Sequence, residues 1–180
     1  MTKTGKQKAV FIDRDGTLIE EVNYLSRLAD LRFFSYTNEA IRILKENGFL
    51  IIVVTNQSGI GRRIFEEAAM HEIHEQIQID LTDPLDAFYF CPHLPDGGCD
   101  CRKPKVGMIE AAQRDFQIDL ESSWMIGDKA IDVETGFNAQ IKTALVLTGY
   151  GQNAVKQLQR KPDLVAEDLL EAVKSITNFK

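Results

Sequence analysis

Two carboxylates near the start of the chain have the types and spacing that phosphoryl transfer requires. Asp13 and Asp15 directly follow the apolar run from Ala9 to Ile12, and Gly16 comes next. In a parallel α/β sheet, the reacting groups collect at the carboxyl ends of the strands. One carboxylate can act as a covalent nucleophile while a second transfers protons. The sequence therefore predicts a phosphatase with Asp13 as nucleophile and Asp15 as proton donor and acceptor.

A third carboxylate points to a metal ion at the same edge of the sheet. Gly127-Asp128 ends another predicted strand, so Asp128 is expected near Asp13 and Asp15. Three clustered carboxylates repel one another unless a hard cation lies between them, and Mg²⁺ prefers oxygen ligands. We expect Mg²⁺ to bind Asp13, Asp128 and the backbone carbonyl of Asp15.

Polar and cationic residues at neighbouring positions are suited to bind a phosphoryl group. Thr55 and Asn56 end a second strand, and Lys103 precedes a helix. Hydroxyl, amide and ammonium groups stabilise the charge that develops on transferring oxygens. We therefore expect Thr55, Asn56 and Lys103 to hold the phosphoryl oxygens, with Thr55 and Lys103 in the catalytic set.

A second cluster has the composition of a zinc site. All three cysteines and one histidine fall on one short loop, as Cys91, His93, Cys99 and Cys101. Four such ligands suit tetrahedral Zn²⁺ and leave no position for a reactive water, so the zinc is expected to be structural. In a reducing cytoplasm a metal site is favoured over a disulfide. The loop, residues 91–103, leads into Lys103, which the zinc would position.

These motifs, in this order, resemble those of the haloacid dehalogenase superfamily of phosphatases. The match consists of Asp13-Arg14-Asp15-Gly16-Thr17, Thr55-Asn56, Lys103 and Gly127-Asp128. The resemblance implies a Rossmann-like fold and dependence on Mg²⁺. The interval between Thr55 and Lys103 has room for one helix, one strand and one loop. It therefore implies a capless member, with a single domain over residues 1–180.

The zinc loop resembles the loop shared by heptose 1,7-bisphosphate phosphatases and histidinol-phosphate phosphatases. Thr55–Arg62 and Asn23-Tyr24 are more similar to the heptose enzymes. That resemblance implies hydrolysis of the C7 phosphate through an aspartyl phosphate, a step towards nucleotide-activated heptose for surface polysaccharide such as lipopolysaccharide. It also implies substrate contacts by a set of residues that comprises Glu21, Val22, Asn23, Tyr24, Asn56, Gln57, Ser58, Arg102 and Lys129.

Two alternatives remain open from the sequence. The stretch between His93 and Cys99 is short, as in histidinol-phosphate phosphatases and in only some heptose enzymes. Histidinol-phosphate hydrolysis is therefore the second candidate function. A catalytically silent, zinc-stabilised interaction protein is the third, and the intact set of Asp13, Asp15, Lys103 and Asp128 argues against it.

The elements that must position these residues alternate between strand and helix. The pattern predicts strands at about 9–13, 49–55, 87–90, 123–127 and 143–147, and helices at about 38–47, 66–81, 106–116 and 169–176. Such alternation predicts a mainly parallel sheet in a three-layer α/β/α fold. A loop of about 20 residues after Thr17 is long enough to be functional. His71 and His74 lack zinc-protease spacing and are expected on a solvated helix face.

Composition and charge limit the partners. The chain has 180 residues and a net charge of -6, which argues against general nucleic-acid binding. No apolar run approaches the ~20 residues of a membrane span, and the amino terminus does not resemble a signal peptide. Several cations lie beside the motifs, which indicates a small anionic ligand. We expect a cytoplasmic monomer acting on a small phosphorylated sugar, without nucleic-acid or membrane partners.

Overall fold

A single parallel sheet organises the molecule, which is a computed structural model that describes residues 5–178. The strand order is β3-β2-β1-β4-β5-β6. The strands are β1 (Gln7–Ile12), β2 (Leu50–Asn56), β3 (Ala87–Cys91), β4 (Ile118–Gly127), β5 (Lys142–Val146) and β6 (Leu164–Ala166).

The crossovers between these strands contain helices. The helices are α1 (Thr37–Glu46), α2 (Ser58–Gly61), α3 (Glu67–Asp80), α4 (Gly107–Asp115), α5 (Ala130–Asn138), α6 (Gly151–Ala154) and α7 (Leu169–Thr177). Two 3-10 turns, Leu28–Asp30 and Val155–Gln157, complete the regular structure of the described residues.

Alternate residues of the central strand pack into cores on opposite faces of the sheet. Val10 and Ile12 of β1 pack with apolar residues of α1, α3 and α7. Ala9 and Phe11 face the other side, where they pack with residues of α4. Beyond them, Val133 of α5 packs against β5. Since both faces are covered, the sheet is the middle of three layers, and the predicted α/β/α class is confirmed.

The segment between β2 and Lys103, where a cap domain would be inserted, is short. Between β2 and Lys103, the described residues form α2, α3, β3 and the loop of residues 91–103. The long segment after Thr17 forms one 3-10 turn and two isolated bridges before α1 begins. This irregular segment lies beside the site described below.

Several elements differ from the sequence prediction. β4 begins at Ile118 rather than near residue 123, because it pairs with β1 twice, before and after a shift in register. The hydroxyl of Ser123 fills the break by accepting a hydrogen bond from the amide of Ala9 at 2.9 Å. Four elements were not predicted: α2, α5, α6 and β6. None of the described helices combines the length and apolarity needed to cross a bilayer.

Candidate active site

The ends of β1, β2 and β4 meet at the floor of a cavity. Asp13 follows β1, Thr55 and Asn56 end β2, and Asp128 follows β4. The cavity has a volume of about 380 Å³. All nine predicted substrate-binding residues line it, together with Asp13, Asp15, Thr55 and Lys103.

Lys103 binds Asp13, the predicted nucleophile. Its Nζ donates hydrogen bonds to Asp13 Oδ1 at 2.8 Å, to Asp132 Oδ1 at 2.6 Å and to the carbonyl of Val54 at 3.0 Å. Burial would raise the pKa of Asp13, but Lys103 and then Lys129 outweigh it and hold that pKa below its usual range. The carboxylate is therefore ionised, as a nucleophile must be.

Asp128 is a buried carboxylate with an unused oxygen. Its Oδ2 accepts a hydrogen bond from the amide of Tyr150 at 2.8 Å, whereas Oδ1 accepts none from the described residues. Burial, followed by the charge of Asp13, raises the pKa of Asp128 to about 8. Gly16 allows this approach, because a Cβ on Gly16 would collide with the Asp128 carboxylate. A buried carboxylate oxygen that accepts no hydrogen bond suits a bound cation.

A side-chain ammonium already lies where the predicted Mg²⁺ ligands converge. Lys129 Nζ is 3.6 Å from Asp13 Oδ2, 3.4 Å from Asp128 Oδ1 and 3.4 Å from the carbonyl oxygen of Asp15. One positive charge thus faces all three oxygens, which is the arrangement that a hard cation requires. The residues present fit Mg²⁺.

Asp132 also belongs to this cluster and was missed from the sequence. A carboxylate oxygen of Asp132 lies within 4.8 Å of those of Asp13 and Asp128. Both of its oxygens are engaged, one by Lys103 Nζ and the other by the amide of Lys129 at 3.0 Å. Asp132 is therefore better suited to holding Lys103 than to binding a metal. Its place on α5, one turn after Asp128, is the signal that could have identified it.

Asp15 belongs to a separate hydrogen-bonded network. Gln57 Nε2 donates to Asp15 Oδ2 at 3.1 Å and to Thr55 Oγ1 at 2.8 Å. On its other side, the guanidinium of Arg14 donates to both Asp15 oxygens. Arg14 itself contacts His74, so the prediction that His74 lies on a solvated face is wrong. His74 is only 6% exposed, because α3 turns it towards Arg14.

Asn56 positions Lys103 through the backbone. Its Oδ1 accepts a hydrogen bond from the Lys103 amide at 3.0 Å, and its Nδ2 donates to the Lys103 carbonyl at 3.2 Å. Because the whole side-chain amide is engaged, Asn56 lines the cavity mainly as a support for Lys103. Arg102, the preceding residue, donates to the carbonyl of His93 at 3.0 Å.

The long irregular segment after β1 forms one wall of the cavity. Glu21 Oε2 lies 3.3 Å from Lys129 Nζ, and Val22, Asn23 and Tyr24 follow along the wall. Tyr24 adopts a left-handed backbone conformation with φ of 56°. Tyr150, which the sequence did not single out, also lines the cavity, and its ring centre is 5.1 Å from Lys129 Nζ.

The donor atoms of the four predicted zinc ligands all lie within 4.8 Å of one another. Cys91 Sγ lies 3.5 Å from His93 Nδ1 and 3.6 Å from Cys99 Sγ, and His93 Nδ1 lies 3.3 Å from Cys101 Sγ. A zinc tetrahedron with ordinary bond lengths has edges of about 3.5–3.8 Å. The donor set therefore fits Zn²⁺ in both chemistry and spacing.

Comparisons with known proteins agree with this geometry. The HAD-hydrolase-like family model matches residues 100–172. A D-glycero-beta-D-manno-heptose-1,7-bisphosphate 7-phosphatase from Haemophilus ducreyi is 38% identical over 177 residues, which cover 93% of this chain and 97% of that protein. A D-glycero-D-manno-heptose-1,7-bisphosphate 7-phosphatase from Thermosynechococcus vestitus is 40% identical over 185 residues, covering 93% and 94%.

Solved structures show the same relationship. A crystal structure of D,D-heptose 1,7-bisphosphate phosphatase from B. bronchiseptica, complexed with magnesium and phosphate, superposes with a TM-score of 0.89. It is 28% identical, and the match covers 96% of this chain and 99% of that one. The enzyme of the same name from Burkholderia thailandensis has a TM-score of 0.71 at 25% identity, covering 94% and 97%.

Proposed function

The chain belongs to the D-glycero-D-manno-heptose-1,7-bisphosphate 7-phosphatases, a family of haloacid dehalogenase-like phosphatases, and on this premise we propose that it hydrolyses the C7 phosphate of heptose 1,7-bisphosphate. One observation carries the proposal. The carboxylate of Asp13 is held ionised at the floor of a cavity that the predicted sugar-phosphate contacts line. We expect the β anomer to be preferred, because the Haemophilus ducreyi relative carries it in its name.

The reaction follows from the positions of Asp13 and Asp15. An oxygen of Asp13 attacks phosphorus, the bond from phosphorus to the C7 oxygen breaks, and Asp15 gives its proton to the leaving oxygen. Asp15, now a carboxylate, takes a proton from a water whose oxygen attacks the aspartyl phosphate. Inorganic phosphate leaves and Asp13 is regenerated. Lys103 and Thr55 hold the phosphoryl oxygens in both half-reactions.

Asp13, Asp128 and the carbonyl of Asp15 are proposed to hold Mg²⁺. When bound, the ion supplies positive charge against the transferring phosphoryl group. The magnesium and phosphate in the B. bronchiseptica structure support this assignment. Lys129, Arg102 and Ser58 are left to bind the rest of the substrate, including its second phosphate.

Cys91, His93, Cys99 and Cys101 are proposed to hold a structural Zn²⁺. The loop of residues 91–103 continues directly into Arg102 and Lys103, so the ion would fix the backbone that carries both cations. The carbonyl of His93 accepts from Arg102, which connects the metal loop to the cavity wall.

We further propose a single catalytic unit over residues 1–180 that acts as a cytoplasmic monomer on a small sugar phosphate. A zinc site with three thiolates requires reducing conditions, which supports the location. The cavity of about 380 Å³ suits a small ligand, and the net charge of -6 disfavours nucleic acid. Light scattering after size exclusion tests the oligomeric state, and a stable dimer would overturn that part.

The substrate is tested by kcat/KM for phosphate release with Mg²⁺. Both anomers of heptose 1,7-bisphosphate are compared with histidinol phosphate. We expect the β anomer to have the highest kcat/KM. We expect heptose bisphosphate to exceed histidinol phosphate by at least about 100-fold, because Asp13 faces one phosphate while Lys129 and Arg102 can bind the other. Preference for histidinol phosphate would overturn the substrate while leaving the chemistry of Asp13 intact.

A further inference from the structure

A buried arginine lies between the two reacting carboxylates in the sequence. Arg14 is 1% exposed and is the largest fully buried side chain in the described part of the chain. Its Nε donates to Asp15 Oδ2 at 3.0 Å, and its Nη2 donates to Asp15 Oδ1 at 3.0 Å. Such a two-pronged contact fixes the plane of a carboxylate as well as its place. The orientation of Asp15 therefore depends on that of Arg14.

Arg14 is in turn held by a histidine from α3. The other terminal nitrogen of Arg14, Nη1, lies 3.2 Å from His74 Nε2. Arginine can only donate hydrogen bonds, so Nε2 must accept and the ring proton must be on Nδ1. Burial, followed by the charge of Arg14, lowers the pKa of His74 to about 3, so the ring stays neutral. The ring also stacks on Phe88, with centroids 4.4 Å apart.

We propose that Arg14 and His74 are positioning residues for proton transfer by Asp15. His74 fixes the guanidinium, and the guanidinium fixes the Asp15 carboxyl group towards the leaving oxygen and then towards the attacking water. The inference rests on the proposed phosphatase function. Asp15 transfers protons in both half-reactions. Loss of Arg14 or His74 therefore slows both the transfer of a proton to the leaving oxygen and the removal of a proton from the attacking water.

Substrates with different leaving groups distinguish a positioning role of Arg14 and His74 from a role in packing alone. An alkyl phosphate needs a proton on its leaving oxygen, whereas p-nitrophenolate leaves without one. A misplaced Asp15 therefore slows formation of the aspartyl phosphate from the sugar phosphate but not from p-nitrophenyl phosphate. Hydrolysis of the intermediate is slowed with both substrates, because Asp15 must still take a proton from water. A packing defect would slow both steps with both substrates.

The test compares His74→Leu, which removes the acceptor, with His74→Gln, whose Oε1 can replace Nε2. His71→Leu on the exposed side of the same helix is the control. For His74→Leu we expect kcat on heptose bisphosphate to fall about 10–100-fold with KM changed less than twofold. With p-nitrophenyl phosphate we expect a burst near one equivalent of p-nitrophenolate per active site, followed by slow turnover. His74→Gln restores most of kcat, and His71→Leu behaves like wild type.

Arg14→Lys, which keeps the charge but loses the two-pronged contact, is the second variant and decides the question if His74→Leu does not fold. It should give the same burst. Equal losses on both substrates without a burst, or an unchanged kcat in both variants, would overturn the proposal. The burst does not depend on the sugar. Failure of the wild type on heptose bisphosphate would therefore count against the proposed substrate and not against this inference.

Discussion

Lys103 connects Asp13, the proposed nucleophile, to the helix that follows β4. Its ammonium contacts Asp13, Asp132 and the carbonyl of Val54, and it is almost wholly buried. Burial would lower the pKa of Lys103, but Asp13 and then Asp132 outweigh it, so the residue remains charged. A fixed positive charge at this place stabilises the attacking carboxylate without reorganisation during the reaction.

Asp13→Asn is expected to remove activity while keeping the fold. The amide is a poor nucleophile, so kcat should fall by at least about 10⁴-fold. Lys103 keeps Asp132 and the Val54 carbonyl as partners, so stability should change little. Phosphate release and thermal unfolding measure the two effects, with Asp83→Asn, outside the cavity, as control. Near-wild-type turnover would disprove the nucleophile assignment.

His74 should make stability depend on pH. Its folded pKa of about 3 lies below the usual 6.5, so the unfolded chain binds more protons between those values. The free energy of unfolding therefore falls as pH falls from 6.5, by about 2 kcal/mol at pH 5. Denaturant unfolding at pH 7 and pH 5 should show this loss in wild type and a smaller loss in His74→Gln. The same loss in His74→Gln would contradict the assignment.

The sequence predicted residues whose position depends on a strand end and missed those that depend on a tertiary partner. Asp13, Thr55 and Asp128 follow apolar runs, so their convergence could be inferred. Arg14 enters the sequence prediction only as part of the Asp13–Thr17 motif, because nothing local shows that it is buried. His74 lies on α3, and its partner is 60 residues away in the chain.

The loop of residues 91–103, which carries the proposed zinc ligands, connects β3 to Lys103. It also packs against α2, where the amide of Gly61 donates to the carbonyl of Pro92 at 3.0 Å. A Cβ on Gly61 would lie 2.6 Å from that oxygen, so this close approach requires glycine. The loop thus contacts the helix that follows Thr55 and Asn56, and its order affects both sides of the cavity.

Cys101→Ser should lower zinc content and activity together. Loss of one thiolate weakens a closed four-ligand site and loosens the backbone before Lys103. We expect one zinc per wild-type chain and well below one in the variant by elemental analysis, with kcat reduced at least 10-fold. Asp100→Asn, between two ligands on the same loop, is the matched control, because the Asp100 side chain is 96% exposed. Full zinc content in Cys101→Ser would exclude the four-ligand site.

The missed helix α5 shows where local sequence patterns fail. It contains the β-branched residues Ile131, Val133 and Thr135 together with Gly136, which are weak helix formers. Tertiary contacts compensate: Gly136 fits closely against Thr143 and Met125, and Asp132 caps the helix by accepting from the Lys129 amide. Neither contact is visible from periodicity. Strands β1 and β2 were predicted because a continuous apolar run identifies a buried strand without knowledge of its tertiary contacts.

This acidic chain concentrates opposing charges at one edge of its sheet. Asp13, Asp128 and Asp132 face Lys103 and Lys129 there. The raised pKa of Asp128, about 8, means that the metal-free protein loses stability as pH rises from about 4 to 8. A divalent cation at the proposed Mg²⁺ site would reverse this effect by stabilising the ionised carboxylate. On this proposal, stability and metal binding are coupled through Asp128.

Mg²⁺ should raise the melting temperature of the wild type but not of Asp128→Asn. Saturation at about 100 times Kd contributes about 2.7 kcal/mol to the free energy of unfolding. Without metal, Asp128→Asn should melt higher than wild type at pH 8, since it removes a buried charge near Asp13. Asp83→Asn serves as control in thermal unfolding with and without MgCl₂. An equal Mg²⁺-dependent rise in Asp128→Asn would place the metal elsewhere.

The position of the phosphate that is lost tests the proposed reaction directly. Phosphorus NMR of heptose 1,7-bisphosphate treated with the enzyme and Mg²⁺ distinguishes the anomeric C1 phosphate from the C7 phosphate. The structure predicts that the C7 signal disappears at the rate at which inorganic phosphate forms, while the C1 signal persists. Loss of the C1 phosphate, or an unchanged spectrum with active enzyme, would contradict the proposed function.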